Sequence, residues 1–192
     1  MFSGIIEHQA KILDIRDGVF RIENTFGEVL TVWKSIAHDG ACMTITKSEK
    51  SYYEFFSMQE SLSVTNFSTK KIGDTFNVER SLKLWDRIDG HFVSGHIDTV
   101  WKVILLEKQG DGSLIFGVSY DIHYNPLVIK KWSITINGVS LTIVDLDSGM
   151  ITVSLIPLTQ DWTNLGSARI GDRVNLEFDM LGKYVQKLTL NT

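Results

Sequence analysis

The chain has 192 residues, 43% of them hydrophobic and 22% charged, with a net charge of −4. This is the composition of an ordinary globular protein, and the acidic balance excludes a broad basic surface for nucleic acid or an anionic membrane. No apolar run approaches the roughly 20 residues of a membrane-spanning helix, and one cysteine, Cys42, excludes an internal disulfide and Cys-rich zinc sites.

From the N-terminus, short apolar runs alternate with charges through FSGIIEHQAKILDIRDGVFRIE. Asp17-Gly18 between two such runs predicts a hairpin. The opening MFSGIIE has no basic segment or long apolar stretch, so no signal peptide is expected; with a lone cysteine, this points to a cytoplasmic protein. Strands are predicted near 29–32, 41–46 and 52–58, with turns at Asp39-Gly40 and at KSEK. ESLSVTNFSTKKIG is polar enough for a short helix or loop, and DTFNVERSL resumes the strand pattern. LKLWDRIDG joins this half to a second, which opens GHFVSGHID. Short strands with frequent turn signals and no sustained 3.6-residue period predict an all-β protein with little helix.

The second half repeats the first. SIAHDGACMTI at 35–45 matches SITINGVSLTI at 133–143 at an offset of 98. TNF at 65–67 matches TNL at 163–165, and GDTFNVE at 73–79 matches GDRVNLE at 171–177, at the same offset. Near the start of each copy, Gly4 answers Gly95 at an offset of 91, so the second copy carries about seven extra residues, expected in DIHYNPLVIKKW. A period this long makes each copy a domain, here 1–90 and 91–192. Pro157 is expected to end the strand ITVSLI.

MFSGII, SIAHDGACMT, GHFVSGHID, SITINGVSLT, LIP and VNLEFDMLGKYV, in this order, resemble the signatures of riboflavin synthases over almost the whole chain. The resemblance implies two tandem similar Greek-key β-barrels, each a lumazine-binding domain. It implies a transferase that dismutates two molecules of 6,7-dimethyl-8-ribityllumazine into riboflavin and 5-amino-6-ribitylaminopyrimidinedione, with no metal and no bound cofactor. It also implies a homotrimer whose working site lies between one subunit's N-terminal barrel and its neighbour's C-terminal barrel. Lumazine synthase is a candidate protein partner by the same resemblance. The alternative is a lumazine or flavin carrier like the lumazine proteins of luminous bacteria, which needs a pocket and no catalytic groups.

The chemistry requires a proton to leave the C7 methyl of one lumazine and a nucleophile to add at C7 of the other. Cys42 and its copy Ser140 resemble the family's site-lining thiol and hydroxyl, and a thiolate is a competent nucleophile. A free cysteine is also commonly a small buried apolar residue. His91 and His96 flank GHFVSGH, and imidazoles near neutrality suit proton abstraction. Phe2, with Gly4 and Ile5 behind it, is expected beside the ring, since a terminus frays unless anchored. Gly95 is the second-copy equivalent of Gly4. Thr44 and Thr142 are expected at the pyrimidinedione edge. Ser35 and Ser133, Thr65 and Thr163, and Asn66 and Asn164 are matched polar pairs suited either to ribityl contacts or to turns and caps. Lys131 and Asp179 match a family lysine and carboxylate near the C-terminal site. Asn137 stands where the family often has Asp, and an amide could not replace a carboxylate acting in proton transfer; Trp132 stands where Gly is usual and is expected to narrow or reshape the second pocket; Leu158 stands where a polar residue is frequent. The chain ends soon after KYV, which predicts that the family's terminal helix is absent or very short.

Overall fold

The computed structural model describes residues 1–147 and 149–189. Six strands close a first barrel: β1 (His8–Arg16), β2 (Val19–Glu23), β3 (Ser35–His38), β4 (Ala41–Ser48), β5 (Tyr52–Phe56) and β6 (Thr75–Arg80), ordered β1-β2-β5-β4-β3-β6. Six more close a second: β7 (Thr99–Lys108), β8 (Leu114–Ser119), β9 (Ser133–Ile136), β10 (Val139–Asp147), β11 (Met150–Leu155) and β12 (Arg173–Phe178). Read around the ring their order is the same Greek key, so the tandem-barrel expectation holds. Inward residues alternate with outward ones, as in β4, where Ala41, Met43 and Ile45 are buried and Thr44 and Thr46 are exposed. Matching bulges after Ile12 and Val103, and after Ile45 and Ile143, bend the strands and help closure.

Asp17 and Gly18 both take positive φ, at 49° and 78°, the demand of the tight β1–β2 turn. The strand expected near 29–32 is absent. Val29, Thr31 and Val32 are exposed, only Leu30 reaches the core, and the chain turns through Trp33 at φ 74° with the Lys34 amide donating to the Thr31 carbonyl. Short helices α1 (Gln59–Val64) and α2 (Pro157–Trp162) occupy equivalent places, Pro157 beginning the second. The second copy's extra residues form a 3₁₀ turn at Ile122–Leu127, whose Tyr124 stacks on Phe178. A ten-residue helix α3 (Met180–Thr189) follows β12, which corrects the expectation that this helix is absent or very short. Its tethers are Lys183 Nζ on Asp98, 2.6 Å away, and two amides on the Asp179 carbonyl. Residues 190–192, the end of KLTLNT, lie outside the described residues. Among the described residues no helix is long and apolar enough to cross a membrane.

The two cores differ in kind. The first is aromatic: Phe20, Phe55, Phe67 and Phe76 pack on one another, and His38 lies against Tyr53, Phe55 and Phe76, its Nε2 2.8 Å from the Tyr53 hydroxyl. The second is mainly aliphatic, with Ile136 and Ile151 at the positions of His38 and Tyr53. Burial drives the His38 imidazole down from 6.5 to about 3. Below about pH 6.5 the unfolded chain therefore binds a proton at His38 that the folded barrel refuses.

The barrels meet through a two-fold set of buried polar residues. Asp39 and Asn137, Asn66 and Asn164, and Asn77 and Asn175 are equivalent pairs. The Asn66 amide donates to Asn175 Oδ1 at 2.6 Å, and the Asn164 amide to Asn77 Oδ1 at 2.7 Å. Asn77 Nδ2 donates to the Asn137 carbonyl and Asn175 Nδ2 to the Asp39 carbonyl, both at 2.9 Å. The set contains one carboxylate. Asp39 pairs with Lys70 Nζ at 2.7 Å, and both side chains are largely sealed from solvent. At the equivalent places stand Asn137, whose amide also donates to Asn164 Oδ1, and Ala168. A carboxylate at 137 could not donate that bond and would have no lysine beside it. This places Asn137 between the barrels, where the change from Asp bears on the buried network.

Two predictions follow from these cores. His38→Ile with Tyr53→Phe should shift the acid-unfolding midpoint to lower pH, measured by circular dichroism, because His38 costs up to about 1.4 kcal/mol per pH unit between its unfolded and folded values. Asn137→Asp alone should lower unfolding stability by about 3 kcal/mol, the scale of an uncompensated buried charge. The full exchange Asp39→Asn, Lys70→Ala, Asn137→Asp and Ala168→Lys should restore it in denaturant titration.

Candidate functional site

Outward residues of three adjacent strands form one row on each barrel. In the first, Cys42 on β4 lies opposite Ala37 on β3, which lies opposite Glu79 on β6. In the second, Ser140 on β10 lies opposite Thr135 on β9, which lies opposite Glu177 on β12. Ser35 faces Thr44, and Ser133 faces Thr142, one step along each row. Thr44 and Thr142 are exposed, while Cys42, Ser140, Ser35 and Ser133 are half-buried.

Two short straps cover these rows. Residues 2–4 and 93–95 run antiparallel, the Phe2 amide donating to the Val93 carbonyl at 2.8 Å and the Val93 amide to the Phe2 carbonyl at 3.1 Å. Each strap touches the other copy's barrel. The Ser140 amide donates to the Gly4 carbonyl, and the Cys42 amide to the Gly95 carbonyl, both at 2.8 Å. Gly4 and Gly95 take φ of 78° and 83°, and a Cβ on either would lie 2.6 Å from the Cβ of Ser140 or Cys42. Glycine is therefore required at both positions, for conformation and for close approach.

The two rows end in different chemistry. Cys42 packs in an apolar cluster of Phe2, Ala37 and Val93, with Phe2 fully buried. His96 follows Gly95, exposed, its backbone amide donating to Ser94 Oγ at 3.2 Å. Ser140 Oγ instead lies 2.7 Å from His91 Nδ1, and His91 Nε2 lies 3.2 Å from Thr135 Oγ1. The tautomer whose Nε2–H donates to Thr135 leaves Nδ1 to accept the Ser140 proton. Burial pushes the His91 imidazole below its usual value, and the Asp179 carboxylate opposes that shift. The unit is thus a hydroxyl on a neutral imidazole, an arrangement able to take and return a proton.

Of the other expected residues, Ile5 and Ser35 border a cavity of about 720 Å³ on the first barrel, a volume suited to a small ligand, which Glu28, Arg80 and Lys83 also line. Glu79 at the end of the first row lines it as well, whereas Cys42, Thr44 and Ser140 do not. Lys131 is exposed at φ 68°, the equivalent of Trp33, and Trp132 and Leu158 are exposed. Thr65 and Thr163 accept hydrogen bonds from the amides of Phe67 and Leu165 and donate to the carbonyls of Ser61 and Thr159. With Asn66 and Asn164 held between the barrels, these four residues cap helical turns and brace the interface, the turn-and-cap alternative of their two expected roles. Sequence reasoning missed Glu79, Glu177 and Thr135, although both glutamates sit in the repeated GDxxNxE.

The Lumazine binding domain family model matches residues 3–81 and again 94–179. The chain is 36% identical over 186 residues to a riboflavin synthase of Escherichia coli (strain K12), covering 93% of this chain and 87% of that one. It is 34% identical over 196 residues to a riboflavin synthase of Bacillus subtilis (strain 168), covering 97% and 89%. Its fold matches that of LumP complexed with riboflavin at a TM-score of 0.83 and 22% identity, covering 93% of this chain and 99% of LumP. LumP complexed with 6,7-dimethyl-8-(1'-D-ribityl) lumazine gives 0.80 at 22% identity, over 92% and 98%.

The site makes its own prediction. His91 should titrate below 6.5 by imidazole NMR, and Asp179→Asn should lower that value further, since it removes the charge that favours the protonated ring.

Proposed function

The chain belongs to the riboflavin synthase family, and on that premise we propose that it passes a four-carbon unit between two molecules of 6,7-dimethyl-8-ribityllumazine, giving riboflavin and 5-amino-6-ribitylaminopyrimidinedione. The supporting observation is the pair of equivalent rows, Cys42–Ala37 and Ser140–Thr135, each closed by a strap from the other copy. Two like pockets suit a reaction whose two substrates are the same molecule. Holding both rings in register removes a large part of the barrier, about 7–11 kcal/mol when alignment is good.

In this reading Thr44 and Thr142 with Ser35 and Ser133 face the heterocycles, and Gly4, Ile5, Gly95 and Phe2 form the strap side of each pocket. Ser140, activated by His91, adds to the acceptor at C7 or relays a proton to it. His96, exposed at the end of its strap, takes the C7-methyl proton. Cys42 lines the other pocket, and Lys131 and Asp179 set charge around the second. The working pair of pockets forms between subunits of a homotrimer. Leu181, Tyr184, Val185 and Leu188 leave an exposed apolar stripe along α3 that suits helix packing between subunits.

Incubating the purified chain with the lumazine alone tests the reading. Riboflavin fluorescence should grow in proportion to protein, with half the consumed lumazine recovered as riboflavin; lumazine bound but unchanged would make the chain a carrier. Ser140→Ala and His96→Gln should each lower kcat by about 10²-fold or more, the lower end of acid–base assistance, with thermal unfolding unchanged. Cys42→Ser should lower it less. Unchanged rates in both Ser140→Ala and His96→Gln would remove these residues from the chemistry.

A further inference from the structure

Two buried carboxylates have no part in the chemistry proposed above, although Glu79 borders the cavity on the first barrel. Glu79 lies on the outer face of the first barrel and Glu177 on that of the second, both almost fully buried. Glu79 Oε1 accepts from the Ser3 amide at 2.7 Å and the Ser3 hydroxyl at 2.9 Å, and its Oε2 from the Gly4 amide at 3.0 Å. Glu177 repeats the pattern on the Ser94 amide and hydroxyl, both at 2.7 Å, and on the Gly95 amide at 2.9 Å. Burial raises both carboxyl groups above the usual range, and these donors oppose the rise.

Each gripped strap then acts on the opposite barrel. The strap held by Glu79 offers the Gly4 carbonyl to the Ser140 amide and the Ser3 carbonyl to the His91 amide, at 2.8 and 3.1 Å. The strap held by Glu177 offers the Gly95 carbonyl to the Cys42 amide and leads into His96. We infer that Glu79 and Glu177 are crossed positioning residues, the carboxylate on each barrel fixing the reactive groups carried by the other. Only a carboxylate suits the place. Three donors converge on its two oxygens, and a glutamine would turn an N–H toward one of them.

The inference rests on the proposed reaction for its bearing on turnover, and its test keeps the two apart. Glu79→Gln and Glu177→Gln are compared by two readouts that need no substrate: the rate of Cys42 alkylation by iodoacetamide and the imidazole NMR resonances of His91. Glu177→Gln should change the Cys42 rate severalfold and leave His91 in place; Glu79→Gln should move His91 and change the Cys42 rate less, through Phe2 alone. Each should also lower kcat more than it raises KM, by about 10²-fold if its strap moves by about 1 Å. Ser3→Ala and Ser94→Ala, which remove one donor and leave the carboxylates, should show the same crossed pattern more weakly and serve if either glutamine variant fails to fold. Effects confined to the variant's own barrel, or equal at both sites, would overturn the inference. A crossed pattern in a protein without turnover would uphold the positioning and overturn the proposed reaction alone.

Discussion

At one point the two barrels touch backbone to backbone. A Cβ on Gly40 would lie 2.9 Å from the Gly138 amide nitrogen, and one on Gly138 would lie 2.7 Å from that of Gly40. Both glycines end the turns that carry Asp39 and Asn137, so this backbone contact sits inside the buried amide network. Every buried amide must find a partner or cost roughly 1–3 kcal/mol. Here the partners come from the other copy, so sliding one barrel along the other would orphan several groups together. The network therefore fixes the relation between the barrels more tightly than an apolar patch could, since apolar contact has no direction.

That fixed relation is what lets a strap from one copy serve the other. Residues 2–4 and 93–95 bond to each other and across to Ser140 and Cys42 over distances of 2.8–3.1 Å. Hydrogen bonds of that length leave little room for drift. Neither site is complete in its own barrel. The Ser140 row needs Gly4 above it, and the Cys42 row needs Gly95. The duplicated unit is thus a pair of mutually dependent halves, and the N-terminus, which frays in most chains, is held at Phe2 because that residue is inside the joint.

Much of this was legible in the sequence, for reasons that differ by element. The Asp17-Gly18 hairpin could be read because its turn chemistry is local. The barrels could be read because one repeat imposes one alternation twice. The strand expected at 29–32 failed because β-propensity measures fit to a half-buried surface, and here only Leu30 meets one. Asn66 and Asn164 were harder. Retention of an amide in both copies is equally consistent with gripping a ligand and with gripping the other barrel, and only distances separate the two. The crossing of the straps left no sequence signal, since a repeat reports which residues correspond and is silent on which copy they pack against. The helix α3 was missed because its ten residues hold a glycine and a threonine and present the apolar side chains of Leu181, Val185 and Leu188 to solvent.

The two copies have also diverged at one equivalent pair of positions. A transfer between two identical molecules makes one give and one receive, and identical sites could not favour either part. The scaffold around each row has kept its hydrogen bonds nearly residue for residue, down to the carboxylates at 79 and 177. The equivalent pair Cys42 and Ser140 has not. One row presents a thiol among Phe2, Ala37 and Val93; the other presents a hydroxyl resting on an imidazole that burial keeps neutral. A thiol in an apolar cluster favours contact with a flat ring, whereas a hydroxyl on a neutral imidazole can give up its proton as a bond forms to oxygen. Duplication supplied two equivalent rows, and substitution at one equivalent pair of positions, Cys42 and Ser140, made them chemically unlike while the crossed straps kept their geometry matched.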